Sequence, residues 1–197
     1  MYNKELQSYN SLKLMSGLAP PANYNYFLAS ANVNQDIKNK YPSFTKCANN
    51  LDCFKNYHEG LAFAKEVNKP MLVDFTGYGC VNCRKTEEHI WVDVKVRNRI
   101  ANDYVLVSLY VDDRSPLDKE LYSAVRKTPI RNIGNKWADF QIVNFNQNSQ
   151  PLYVLVSPKE EVLAKPRGFK EGVESYEAFL DCGLDAFNKI KSVGFGH

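Results

Sequence analysis

Cys80 and Cys83 stand two residues apart in this 197-residue chain, where an apolar run gives way to a segment rich in helix formers (Arg84 to His89). The run Met71-Leu72-Val73 has the character of a strand buried on both faces. It is broken at Thr76-Gly77-Tyr78-Gly79, where two glycines permit a sharp turn. A strand, a tight turn and a Cys-x-x-C at a helix N-terminus together make a redox signature. Unpaired N–H groups of the first helical turn, and the positive end of the helix dipole, stabilise a thiolate at Cys80, the exposed first position. Cys83, one turn on, is within reach to resolve a mixed disulfide formed at Cys80.

The elements that must hold this pair follow from the flanking pattern. Tyr57, Leu61, Ala64 and Val67 recur every three or four residues and predict an amphipathic helix, which Asn68 and Pro70 end. After the Cys-x-x-C helix, Asp93 restarts a polar–apolar pattern through Ile100. Asn102-Asp103 marks a turn, and Tyr104–Asp112 reads as a second strand. Asp113 to Gln150 is punctuated by Pro116, Pro129 and Gly134 and is expected to be a loop insertion, with a helix only over Trp137 to Phe145. It carries several basic residues, expected to be solvated or, functionally, to meet a partner. Leu152–Ser157 reads as a strand, Glu160-Glu161 as a turn and Val162–Phe169 as an antiparallel mate. Val173 to about Lys191 predicts a closing helix. The order helix, strand, helix, strand, helix, strand, strand, helix describes an α/β domain with a mixed central sheet flanked by helices.

The first fifty residues are weakly patterned, with Pro20-Pro21 and many Asn, Ser and Tyr residues, and predict an extended tether. Tyr24, Tyr26 and Phe27 are candidate anchors of that tether to a domain spanning 51–197. A net charge of +3 is too small to argue for nucleic acid or an anionic membrane surface. No apolar run approaches the roughly 18–20 residues that cross a bilayer, and the N-terminus has no signal-peptide core. As written, the chain is expected neither to insert nor to export itself.

Three cysteines remain. Cys47 and Cys53 bracket a polar stretch and either close a small disulfide loop in an oxidising compartment or are two small buried residues that never meet. Cys182 falls on the polar side of the last helix, opposite Tyr176, Leu180, Leu184 and Phe187, and is expected to be unpaired and without a catalytic role. With no second Cys-x-x-C and three histidines, no metal site is expected. Glu87, Glu88 and His89, on the helix after the motif, are expected to be solvated.

VDFTGYGCVNCRK resembles a thioredoxin-fold active site. With YHEGLAFAKEVNKPMLVDFTGYGCVNC, DYVLVSLYVDD and NSQPLYVLVSP, which span roughly Asp52 to Leu184, the chain resembles more closely the C-terminal soluble domain of the thiol:disulfide interchange protein DsbD family, in its Bacteroidetes-type form. The resemblance implies a thioredoxin fold with an insertion before a cis-proline and an N-terminal extension. It implies a protein-disulfide reductase, serving among others cytochrome c biogenesis, that carries electrons from a membrane-embedded module to protein disulfides in the periplasm. The chain is then a soluble piece of a longer inner-membrane protein, and its first residues a spacer after the last membrane helix. No cofactor beyond the Cys80–Cys83 disulfide is implied.

The same resemblance assigns roles. Asp74, six positions before Cys80, matches the buried aspartate of thioredoxins. A carboxyl in an apolar strand has a raised pKa and can exchange a proton with Cys83; the plainer alternative is an aspartate bonded to backbone. Pro151 matches the cis-proline, leaving the Gln150 backbone free to pair with a partner chain. Tyr78 and Gly79 occupy the substrate-facing positions where thioredoxin has an acidic residue and a tryptophan. That departure, with Val81-Asn82 between the cysteines, leaves the potential open. The alternatives to a reductant relay are a thioredoxin-like oxidase or isomerase, and a non-catalytic binding module with a purely structural Cys80–Cys83 disulfide.

Overall fold

Three strands form the centre of the molecule because their side chains are apolar on both faces. The computed structural model describes residues 2–3, 8–9 and 34–194. Tyr2–Asn3 (β1) and Ser8–Tyr9 (β2) pair antiparallel; Tyr24, Tyr26 and Phe27 lie outside the described residues. Then follow Gln35–Lys40 (α1), Phe44–Lys46 (β3), a 3-10 turn at Ala48–Asn50, Asp52–Phe54 (β4), Tyr57–Val67 (α2), Met71–Thr76 (β5), Val81–His89 (α3), Val94–Asp103 (α4) and Val105–Tyr110 (β6). The second half holds Pro116–Ser123 (β7), Thr128–Asn132 (β8), Ile133–Phe145 (α5), Leu152–Val156 (β9), Arg167–Gly168 (β10) and Val173–Gly194 (α6).

The main sheet runs β10-β9-β5-β6-β4-β3. β5 lies parallel to β6 and antiparallel to β9, and every residue of these three strands is buried. Strand alternation divides the core in two. Leu72, Leu106 and Leu155 point to one face, where Trp91, Ile100, Tyr176 and Leu180 cover them. Val73, Phe75, Val107 and Val154 point to the other, under Leu61, Ala64 and Trp137. Asp74 and Thr76 share the face of Leu72, so the strand places its one carboxyl on the side that α3 covers.

Local signals account for the ends of the helices. The Asn56 side chain accepts the His58 N–H at the start of α2, and Asn68, in a left-handed conformation (φ 49°), closes it. Asp93 caps α4 by accepting from Lys95 and Val96.

Three expectations need correction. Asp113–Gln150 is not chiefly loop: β7 and β8 form an antiparallel hairpin, and α5 begins at Ile133, capped by Asn132, rather than at Trp137. The sequence conceals the hairpin because most of its residues are exposed and its apolar ones do not alternate with polar ones. The segment before residue 51 is not all tether, since β3 pairs with β4 at the sheet edge. The mate of β9 is shorter than expected, being β10 and a single bridge between Val156 and Val162, with Glu160 taking the turn at φ 66°.

Candidate active site

The sequence places Cys80 at the one position of α3 where a side chain meets the helix's unpaired N–H groups. Cys80 is the N-cap residue, in extended conformation, and its Sγ accepts the Cys83 N–H at 3.2 Å. The two cysteines are joined in a disulfide with Cα atoms 5.3 Å apart. Cys80 is half-buried while Cys83 is 1% exposed. An incoming thiol or disulfide therefore reaches Cys80 first, and Cys83 is shielded behind it.

The loop before Cys80 is tied to the neighbouring strand. The carboxylate of Asp112, just past β6, accepts the N–H of Tyr78 through Oδ1 and of Gly79 through Oδ2, each at 2.9 Å. The expected turn is there, closed by the Cys80 N–H on the Gly77 carbonyl at 3.2 Å, and Asp112 gives Gly77 a further reason to be glycine. Its backbone is not left-handed, but a Cβ there would come within 3.0 Å of the Asp112 carboxylate. The Tyr78 ring stacks on Tyr110 at 4.3 Å between centroids, and the Lys55 ammonium lies 4.8 Å from the Tyr110 ring.

Between β5 and α3 lies a buried charged cluster. Asp74 is 2% exposed and accepts from Ser108 Oγ at 3.4 Å, while its Oδ1 has no hydrogen-bond partner. Burial pushes its carboxyl up to about 7, with the Arg84 guanidinium and the Ser108 bond opposing. Arg84, 2% exposed, donates from Nη2 to Thr76 Oγ1 at 3.1 Å and pairs with Glu87 Oε1 at 2.7 Å. Burial likewise raises Glu87, to about 8, against the pull of Arg84 and with help from Asp74. The expectation that Glu87 is solvated is therefore corrected; Glu88 and His89 are exposed. Two carboxyl groups share one buried guanidinium, so at neutral pH the cluster can hold a proton between them.

The antiparallel register sets Leu152 opposite Phe75, which brings Pro151 level with Thr76 at the active-site end of the sheet. Pro151 is buried and its bond to Gln150 is cis, as the resemblance implied. The Gln150 side chain donates to Gln141 Oε1 at 3.1 Å, and Gln141 Nε2 donates to the Ser149 carbonyl at 2.8 Å.

Cys47 and Cys53 are bonded, with Cα atoms 5.8 Å apart, and are both buried in the core. Their loop braces the active-site helix, because Asn49 Nδ2 donates to the Glu87 carbonyl at 2.8 Å and Arg97 Nη1 donates to the Asn49 carbonyl at 2.7 Å. Cys182 is free and exposed. Among the described residues no cluster of His, Cys, Asp or Glu could hold a metal ion, and no helix is long and apolar enough to cross a membrane.

The structure thus gathers Cys80, Cys83, Tyr78 and Gly79 at one loop, with Asp74 below and Pro151 at the same end of the sheet. Sequence reasoning missed Asp112, Arg84 and Gln141. It also set aside Glu87, although the spacing Cys83, Glu87, Ile90 runs along one helix face and leads inward from a cysteine expected to be shielded.

Residues 52–158 match the family described as Thioredoxin-like. No curated protein matches the sequence. Among solved structures, a thioredoxin from Thermus thermophilus aligns at 16% identity over 72% of this chain and 93% of its own, with a TM-score of 0.51. A DsbH oxidoreductase aligns at 19% identity over 70% and 87%, with a TM-score of 0.48. A disulphide isomerase from Xylella fastidiosa Temecula1 aligns at 18% identity over 68% and 87%, with a TM-score of 0.41. At 16% identity the likeness to the Thermus thermophilus thioredoxin speaks to the fold. The matched family model covers more than half of the chain, and the chain belongs to the thioredoxin-like family.

Proposed function

We propose that this chain is a thiol:disulfide oxidoreductase that reduces protein disulfides through the Cys80–Cys83 dithiol. The observation that carries it is the asymmetry of the pair: a reachable Cys80 capping the helix N-terminus and a shielded Cys83 one turn on, over a buried carboxyl cluster.

The Cys80 thiolate attacks one sulfur of a partner disulfide. A Cys80–partner disulfide forms, the partner's S–S bond breaks, and the leaving thiolate takes up a proton. Cys83 then gives its proton to the Asp74 carboxylate and attacks Cys80 Sγ. The Cys80–Cys83 disulfide closes, and the second partner sulfur leaves as a thiolate that takes up the proton Asp74 received. Two electrons and two protons pass to the partner, and the protein's own disulfide is the carrier. Tyr78, Gly79 and the Gln150-Pro151 segment, at the same end of the sheet, are the surfaces that would meet the partner chain.

The resemblance to the DsbD family supports a finer version. The chain works in the periplasm as a soluble domain of an inner-membrane protein and is re-reduced by the membrane-embedded module of that protein. It then reduces periplasmic protein disulfides, with neither nucleic acid nor a dissociable cofactor involved.

A trapping experiment tests the exchange chemistry. In a Cys182→Ser background, Cys83→Ser should accumulate a glutathione adduct at Cys80 when treated with oxidised glutathione, while Cys80→Ser should form none at Cys83. Failure of Cys80 to take up glutathione would contradict the proposal.

A further inference from the structure

The β7–β8 hairpin is set apart from the rest of the chain by its charge. The hairpin itself, residues 116–132, carries four cations (Lys119, Arg126, Lys127, Arg131) against two carboxylates, Asp118 and Glu120, a balance of +2. The whole chain carries +3, so the remainder is near neutral, at +1. Every ion pair among the described residues lies elsewhere. Apolar groups are also exposed here, with Leu121 at 40%, Tyr122 at 63% and Val125 at 65%. Leu117, Leu121, Pro129 and Ile130 line a shallow groove of about 600 Å³ that Lys119 and Arg131 flank together with one carboxylate, Glu120.

The base of this hairpin is built onto the active-site clamp. Asp112 holds the loop before Cys80. The next residue, Asp113, accepts the Ser115 N–H at 2.8 Å through Oδ1 and the Gly134 N–H at 2.8 Å through its carbonyl. Ile133 donates to the Ser115 carbonyl at 3.0 Å. Gly134 lies so close to this strand end that a Cβ would stand 2.5 Å from the Val111 carbonyl oxygen. At about 3.3 Å per residue the five-residue strand β8 sets a reach of roughly 16 Å from that root. An isolated two-stranded hairpin gains little stability of its own, so an arm of this length that leaves both its cations and its apolar groups open to solvent fits a docking role.

We infer that the hairpin is a docking arm for acidic partner proteins, taking an anionic segment that flanks the partner's disulfide and directing that disulfide to Cys80. Lys119, Arg126 and Arg131 supply the charge and Leu121 and Tyr122 the apolar contact. Complementary charge of this kind raises encounter rate and selects partners more than it adds to the chemical step. The assignment rests on the thiol-exchange function proposed above.

The experiment compares reduction of three disulfides by the reduced protein: a cystine-loop peptide flanked by glutamates, its lysine-flanked counterpart, and neutral 2-hydroxyethyl disulfide. At low ionic strength the acidic peptide is expected to react roughly tenfold faster than the basic one, with the difference collapsing at about 0.5 M salt. The variant K119E/R126E/R131E should lose or invert that preference, and K119Q/R126Q/R131Q should weaken it. Both should react with the neutral disulfide within about twofold of the parent rate, since the three side chains are exposed. Equal rates for the two peptides, or a preference that survives charge reversal, would overturn the assignment. So would hairpin-dependent binding to phosphatidylglycerol vesicles without any peptide preference, which would give the charge to a lipid surface. A parent protein inert toward the neutral disulfide would overturn the redox function itself, and the docking role with it.

Discussion

Asp112 holds the backbone N–H of Gly79, the residue before Cys80, at 2.9 Å, so the end of one strand sets the position of a nucleophile at the end of its neighbour. The other oxygen of that carboxylate takes Tyr78 in the same way. Because the group is exposed, water can replace it when it is removed, and Asp112→Ala should cost only about 1 kcal/mol. That corresponds to a fall in Tm of roughly 2–4 °C for a domain of this size. The larger effect is expected on exchange, because a freed loop no longer presents Cys80 in one geometry. The rate with a neutral disulfide should drop roughly three- to tenfold. Asp112→Asn, which keeps one carbonyl acceptor, should lie between. An unchanged rate would show that the clamp is only structural.

Asp74 links stability and rate to pH in opposite directions. Its carboxyl is raised by burial from 3.8 to about 7, so the folded protein binds this proton more tightly than the unfolded chain. The resulting stability is complete in acid below about 4 and is lost as pH rises through 7. Asp74→Asn removes the cost of a buried carboxylate and should be more stable than the parent at about pH 8, by on the order of 3 kcal/mol, with little difference at about pH 4. The same variant should resolve the mixed disulfide on the order of a hundredfold more slowly and lose the limb of the pH profile near 7. Urea titrations and single-turnover kinetics at several pH values check both halves.

Arg84 and Glu87 are a buried pair, and the consequence of breaking it differs from that of replacing it. Glu87→Ala leaves a guanidinium of 2% exposure facing Asp74 as its remaining carboxyl partner and should cost about 3–5 kcal/mol. The double variant Arg84→Met/Glu87→Met should recover most of that loss, because hydrophobic groups of similar volume need no counter-charge. A double variant as unstable as Glu87→Ala would show that packing around the pair, rather than charge, dominates.

The two disulfides should respond differently to reductant. Cys47 and Cys53 are 1% and 0% exposed, whereas Cys80 is half-buried at the surface. Thiol counting in denaturant should find one thiol, Cys182, in the oxidised protein and three after mild reduction, the added two being Cys80 and Cys83. Cys47→Ala/Cys53→Ala should lower stability by about 2 kcal/mol through lost loop closure. It should also slow exchange, since the Asn49 contact to the Glu87 carbonyl depends on that loop.

What was legible in the sequence had a local cause. The span of α2 follows from an apolar repeat ended by Asn68 and Pro70, and the Cys80 N-cap follows from the strand–turn–helix pattern around the motif. β5, β6 and β9 announce themselves because strands buried on both faces are continuous apolar runs. The hairpin did not, since Asp118-Lys119-Glu120 has the polarity of a loop and its pairing depends on where Asp113 and Gly134 meet. Arg84 and Glu87 were illegible for a related reason. Charged residues default to solvent, and only tertiary packing against Thr76 and Asp74 turns a polar helix face into a buried one. Asp112 works across two parallel strands, a relationship that periodicity along one chain segment does not express.

The equilibrium potential of the Cys80–Cys83 couple, measured in glutathione or dithiothreitol buffers with Cys80→Ser as the inactive control, tests the proposed reductant role most directly. A value near about −270 mV, or modestly above it and well below about −120 mV, is expected of a relay that passes electrons to protein disulfides. A value close to about −120 mV would make the chain a disulfide donor and contradict the proposal.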